Sequence, residues 1–237
     1  PYVYGFNKVG ANCGVASRGV VAETPEGAIW MGLQSFWSYS GGSVEAIPCD
    51  VSDYVFTDMN RNQITKAFSV NNAMHDEIWW FYPSEASNEN DRYVSYNHRE
   101  KHWAIGELAR TAGIDRGVMG YPVYLAPDSL AYRHESGLNY GGADVYAESG
   151  PITLGGSMVV TATELLPDEK TQGDVTATFK TRLHPNGTET TFGPYTMSAP
   201  TSIRVTGRQI RLRVDGDRLA DWRWGIPRVL VQQRGRR

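Results

Sequence analysis

His98 and His102 stand four residues apart, the spacing at which a helix would bring two imidazoles onto one face as a zinc pair. The stretch Asn97-His98-Arg99-Glu100-Lys101 reads instead as a turn between strands, HExxH is missing, and no third ligand stands at a matching spacing. His75, His134 and His184 have no partner at an informative distance along the chain. Paired carboxylates would suit glycoside hydrolysis. Glu85, Glu89 and Asp91 lie in one loop and Asp53 and Asp58 in a helical stretch, but none sits in the Ser-x-Asp-x-Gly-x-Thr-Trp turn of sialidase-like repeats. Ser87-Asn88-Glu89-Asn90-Asp91 offers oxygen ligands of the kind Ca²⁺ takes, and equally the side chains that close Asx turns. G-x-S-x-G, the P-loop and G-x-G-x-x-G are all missing. The residues therefore predict no catalytic, cofactor or metal site, and a protein that is not an enzyme.

The other chemistry on offer is aromatic and cationic. Seven Trp and thirteen Tyr could stack on sugars or single-stranded bases. Trp79, Trp80, Trp103, Trp222 and Trp224 fall inside strand patterns, where bulk is needed for packing, which leaves Trp37 with Tyr39 as the best candidate for an exposed pair. Cys13 and Cys49 are too few for a metal or disulfide framework; one disulfide is open to them, and two free buried thiols are the favoured reading. Residues 201–237 carry ten Arg against three Asp, a balance of +7, which leaves −10 for the rest of a chain whose net charge is −3. Such asymmetry marks either nucleic-acid contact or polar strand faces that meet acidic neighbours in an oligomer. The second reading is favoured, because the arginines alternate with apolar residues. Arg204, Arg208, Arg211, Arg213 and Arg223 are the candidate interface residues.

Strands must position these side chains. Ile78 to Tyr82, Arg92 to Tyr96 and His102 to Leu108 are short β-favouring runs separated by turn residues, an antiparallel meander. A single meander buries too little surface to be stable alone. Ala28-Ile29-Trp30-Met31-Gly32, Glu77-Ile78-Trp79-Trp80-Phe81 and Tyr121-Pro122-Val123-Tyr124-Leu125 resemble one another at intervals within the ~40–50 residues of propeller blades. Each reads as the aromatic strand that opens a repeat, followed by Phe36 to Tyr39 and Leu130 to His134 in the first and third. Strands covered on both faces read as continuous apolar runs, which fits. One helical insertion interrupts the pattern near residues 50–66, with Asp50 as N-cap, Val51, Tyr54, Val55 and Met59 on one face, and Asn60 to Lys66 as an extension.

The texture changes around Ser149-Gly150-Pro151. Ser157 to Leu165, Val175 to Thr181, Thr188 to Tyr195, Ser202 to Thr206, Gln209 to Val214 and Trp222 to Val231 are strand candidates, with hairpin turns at Pro185-Asn186-Gly187 and Asp215-Gly216. The expected fold is all-β: a partial β-propeller of two to three antiparallel blades over residues 1–150, then a β-sandwich over 151–237.

Three phrases point to a family: EIWWFYPSEASNENDRYVSYN, HWAIGELARTAGIDRGV, and the stretch from Gly207-Arg208-Gln209 to Asp221-Trp222-Arg223-Trp224-Gly225. Over roughly residues 27–237 the chain resembles the tail nozzle, or packaged-DNA stabilisation, proteins of short-tailed phages. That resemblance implies a structural protein of the virion tail, a homo-oligomeric ring of six copies that closes the tail channel and retains packaged DNA until ejection. Its implied partners are the portal or adaptor, other tail proteins, and genomic DNA passing without sequence readout. The alternative is a carbohydrate-binding or glycan-hydrolysing β-propeller used in host attachment.

At 41% hydrophobic and 21% charged residues the chain is globular, and no apolar run approaches the ~20 residues of a membrane-spanning helix. It begins at Pro1, with Tyr2-Val3-Tyr4 already strand-like, so we expect a C-terminal portion of a longer protein with further blades upstream.

Overall fold

The computed structural model describes residues 4–138, 144–156, 158–197, 199–217 and 220–235. Tyr2, Val3, Ser157, Arg218, Arg236 and Arg237, which enter the sequence analysis, lie outside them. The described chain is all-β, with antiparallel sheets, none of them closed, and divides into two compact units, residues 1–136 and 137–237.

The first unit holds three meanders. The first sheet runs β1 (Val21–Thr24), β2 (Gly27–Met31), β3 (Phe36–Ser40), β4 (Ser43–Ile47). Gly27, at φ 149°, closes its first turn where a Cβ would lie 2.0 Å from the Tyr39 carbonyl oxygen, so the close approach requires glycine. Helix α1 (Ser52–Asp58) and a 3₁₀ turn (Ile64–Lys66) follow. The second sheet runs β5 (Phe68–Asn72), β6 (Glu77–Tyr82), β7 (Arg92–Asn97), β8 (His102–Glu107). The third comprises β9 (Ala112–Ile114), β10 (Val123–Leu125) and β11 (Ala131–Arg133), with β10 central. The three related aromatic segments are β2, β6 and β10. Each is the second strand of its meander, not the first as the sequence suggested; the strands before them are short and carry polar residues (β1, β5) or small ones (β9).

The alternation of β6 explains its unbroken apolar run. Ile78, Trp80 and Tyr82 pack with Ile29, Met31 and Phe36 of the first sheet and Val55 of α1. Trp79 and Phe81 point the other way, to Phe68, Val70, Tyr93 and Tyr124 of β10. The middle sheet is thus covered on both faces at β6, while its last strand, β8, is largely exposed. Its first strand also neighbours those before and after it, β1 and β9. Ser69 donates its backbone N–H to the Gly19 carbonyl at 2.7 Å, Asn71 Nδ2 reaches the Glu23 carbonyl at 2.7 Å, and the buried Trp80 indole donates to the Val20 carbonyl at 2.8 Å.

The helix begins later than expected. Val51 precedes its first turn with no side-chain cap, so Asp50 is not the N-cap. Val55 and Met59 are buried, whereas Tyr54 is exposed. Met59 turns to extended backbone and bridges to Ser84, which separates α1 from the 3₁₀ turn.

The second unit contains two sheets. One has the order β12 (Val145–Glu148), β18 (Gln209–Gly216), β15 (Thr176–Arg182), β16 (Thr190–Thr196), with β13 (Ile152–Thr153) also on β18. The other is β17 (Thr201–Gly207), β14 (Val159–Leu166), β19 (Arg228–Gly235), with β14 central. Both contribute to one core: Val160, Ala162, Leu165, Ile203 and Val205 from the smaller sheet, Ala177, Phe179, Ile210 and Val214 from the larger. Val145–Glu148, grouped with the first half on sequence, pairs with β18 from Val145↔Gly216 to Glu148↔Arg213 and so belongs here. β18 continues through Asp215 and Gly216, so no hairpin turn falls there. The segment from Trp222 is not one strand: Arg223 makes an isolated bridge to Gln172, and β19 starts only at Arg228, after Pro227.

Replacing Trp80 by alanine should remove the central contact of the first core and leave the Val20 carbonyl with only the longer bond from the Met31 N–H at 3.4 Å. A loss of ~3–5 kcal/mol in urea unfolding is expected.

Candidate functional site

The five candidate arginines do not form one patch. Arg211 and Arg213 lie on the outer face of the larger sheet, opposite Ile210, Leu212 and Val214, as their alternation predicts. Arg204 points outward from β17 on the other sheet, Arg208 sits at the β17–β18 junction with its N–H on the Arg182 carbonyl, and Arg223 is in the segment before β19.

The larger sheet supplies acids for its own cations. Glu148 of β12 receives Lys180 of β15 at 2.8 and 3.0 Å and Arg211 at 3.0 Å. Arg211 also reaches Glu189 at 3.5 Å and the Ser149 carbonyl at 3.3 Å. Arg213 forms a fork with Asp215 at 2.6–3.0 Å, and its guanidinium lies 3.9 Å from the centroid of the Tyr146 ring. Only 13% of the Glu148 side chain is exposed. The acidic neighbours expected from another subunit are, for these two arginines, residues of the same sheet.

The smaller sheet differs. Arg204, Arg228 and Arg234 are exposed on β17 and β19 and form no ion pair among the described residues. Thr206, Thr161 and Arg234 make a polar row across the three strands: the two hydroxyls are 2.9 Å apart and Arg234 Nε donates to Thr161 Oγ1 at 3.2 Å. Arg228 and Arg234 were missed as candidates on sequence, where β19 was started too early; their alternation with Val229 and Val231 was the available signal.

In the first unit two of the three loop carboxylates, Glu89 and Asp91, bond within the fold, and Glu85 is exposed. Asp91 accepts both the Ser84 N–H and its hydroxyl at 2.7 Å, Glu89 takes Lys66, and Asp58 faces Arg92, which also pairs with Glu107 at 2.6 Å. Lys66 Nζ donates to the Asn88 carbonyl and Asn60 Nδ2 to the Ser87 carbonyl, so these two carbonyl oxygens of the loop are engaged by amine and amide donors, while the buried Asn90 Oδ1 accepts no hydrogen bond among the described residues. Among the described residues no three His, Cys, Asp or Glu side chains gather as metal ligands. Trp37 is half-buried and Tyr39 exposed. Cys13 and Cys49 are both free and half-buried; burial pushes the Cys49 thiol up to about 11.

Two histidines without a sequence partner have one in space. His75 Nε2 is 3.2 Å from Glu135, which also accepts Asn72 Nδ2 at 3.0 Å. Arg110 Nε donates to His134 Nε2 at 3.0 Å, and the imidazole lies against Tyr124. A guanidinium can only donate, so His134 is neutral, with its proton on Nδ1. Burial first, then the Arg110 charge, push its pKa down to about 4. Pairs separated by 60 and 24 residues leave no local signal.

A scan against protein-family models finds no match, and a search of curated proteins finds none either.

Glu148→Gln should strand Lys180 and Arg211 without their shared charge and lower stability by ~1–3 kcal/mol in urea unfolding, less than for a fully enclosed pair. His134 should contribute to pH dependence. A base held neutral in the fold, with an ordinary value of 6.5, withdraws stability as pH falls from 6.5 towards 4. His134→Gln should reduce the loss of unfolding free energy between neutral and mildly acidic pH relative to the parent chain.

Proposed function

We propose that this protein is a structural subunit of a phage tail, a nozzle or hub component that assembles into a ring and retains packaged DNA until ejection. The observation that carries the reading is the resemblance of residues 77–97 and 102–118 to tail nozzle proteins. Those residues build β6, β7, β8 and β9, the scaffold at the centre of the first unit, as expected of a likeness that lies in architecture. The succession of first strands β1, β5 and β9 supports a partial β-propeller, and two sheets sharing one core support a β-sandwich. The ring is taken to hold six copies, joined by heterologous contacts that close. Its partners are the portal or adaptor on one side, other tail proteins, and DNA threading the channel without sequence readout.

Function here is positional. Rigid sheets hold a channel open to a set width, and the charge of its wall decides whether DNA slides or is held through its phosphates. The larger sheet of the second unit pairs Lys180, Arg211 and Arg213 with Glu148, Glu189 and Asp215, which leaves Arg182, itself on Gln209, as its one cation without an ion pair among the described residues and makes the sheet a weak phosphate binder. Electron microscopy of the purified protein, or of the particle it comes from, should show a ring with a channel wide enough for duplex DNA. A monodisperse monomer without particle association would overturn the proposal and direct attention to glycan binding by the aromatic sheets.

A further inference from the structure

Net charge on this chain is unevenly divided. The first unit has ten basic and sixteen acidic residues and the second thirteen and ten, so the two carry −6 and +3. The surplus is not spread evenly within either. On the larger sheet of the second unit Lys180, Arg211 and Arg213 are matched by Glu148, Glu189 and Asp215 and Arg182 donates to Gln209, whereas on the smaller sheet Arg204, Arg228 and Arg234 are exposed and form no ion pair among the described residues. In the first unit Glu45 on β4 and Asp50 and Asp53, at the turn into α1, are likewise exposed and form no ion pair among the described residues.

From this we infer that the outer face of β17–β14–β19 is the surface that docks a second copy of this chain, onto the carboxylates of β4 and the start of α1. The inference rests on the ring reading above and gives it its contact. Complementary patches that differ from each other make heterologous contacts, the type a ring needs, whereas a self-complementary patch would give a two-fold dimer. Guanidinium forks match carboxylates two bonds at a time, and complementary potentials set register and suppress wrong partners. The face suits protein better than nucleic acid. Its arginines stand among Leu230, Thr163 and Ser202, with Glu164 of β14 in register with Ser202 and Leu230, and one acid on the face together with a unit surplus of only +3 is unfavourable for a surface that tracks phosphates.

Sedimentation or mass photometry of the full chain tests this with two variants. Arg204→Glu/Arg228→Glu/Arg234→Glu and Glu45→Lys/Asp50→Lys/Asp53→Lys should each weaken self-association by at least ~10-fold, because like charges then face each other. An equimolar mixture should assemble again, since each variant's altered face then meets an opposite charge on the other; this also shows that both are folded. Assembly of either variant alone at wild-type strength, or a mixture that stays dissociated, overturns the inference while leaving a wild-type ring intact. A wild-type chain that never associates overturns the ring reading and this contact together. Salt-sensitive binding of wild type to duplex DNA, lost in the arginine variant, would assign the face to nucleic acid and equally overturn it.

Discussion

The first unit depends on the burial of the middle sheet from both sides. Neighbouring residues of β6 feed different cores: Trp80 enters the one shared with the first sheet and α1, and Phe81 the one shared with β10. Neither core would persist without the other, because a meander with one bare apolar face is marginal in water. The constraint also fixes register. A slip of β6 by one residue would exchange every side chain between two differently shaped cores. The polar links between first strands follow from it. Once the sheets are packed, the carbonyl of the buried Val20 is drawn away from water and the Trp80 indole satisfies it, while Ser69 and Asn71 tie the exposed Gly19 and Glu23 carbonyls to the neighbouring strand.

The second unit solves a different problem. Its core is of ordinary aliphatic and aromatic composition, and what distinguishes its two outer faces is the bookkeeping of charge. β12 brings Glu148 beside Arg211 and Lys180, so much of the larger sheet's positive charge is countered within the sheet. The smaller sheet has no such added strand, and its arginines are left to solvent or to a partner. An all-over count of arginines would have treated the two faces as equals.

The sequence made legible what depends on local pattern. The apolar run of β6 announces a strand covered twice, the Pro185-Asn186-Gly187 turn joins β15 to β16, and Ile210, Leu212 and Val214 share the inward face of β18. What stayed hidden depends on distance or on weak strands. Val21–Thr24 and Phe68–Asn72 carry Glu, Ser and Asn because their partners are other strands' backbones, so the pattern started each repeat one strand late. Val145–Glu148 could be placed only by its pairing with β18. Of the five candidate arginines, the pair with the clearest alternation, Arg211 and Arg213, proved to be matched within its own sheet, by acids whose proximity no spacing reveals.

The meanders of the first unit end on strands that are short and carry charge: Glu45 on β4, His102 and Glu107 on β8, Arg133 on β11. An exposed strand edge is a template for another chain's backbone, and charge on a short edge discourages that pairing. These sheets are therefore poor seeds for cross-β growth. Any neighbour these sheets take is met on their faces rather than strand by strand at their edges.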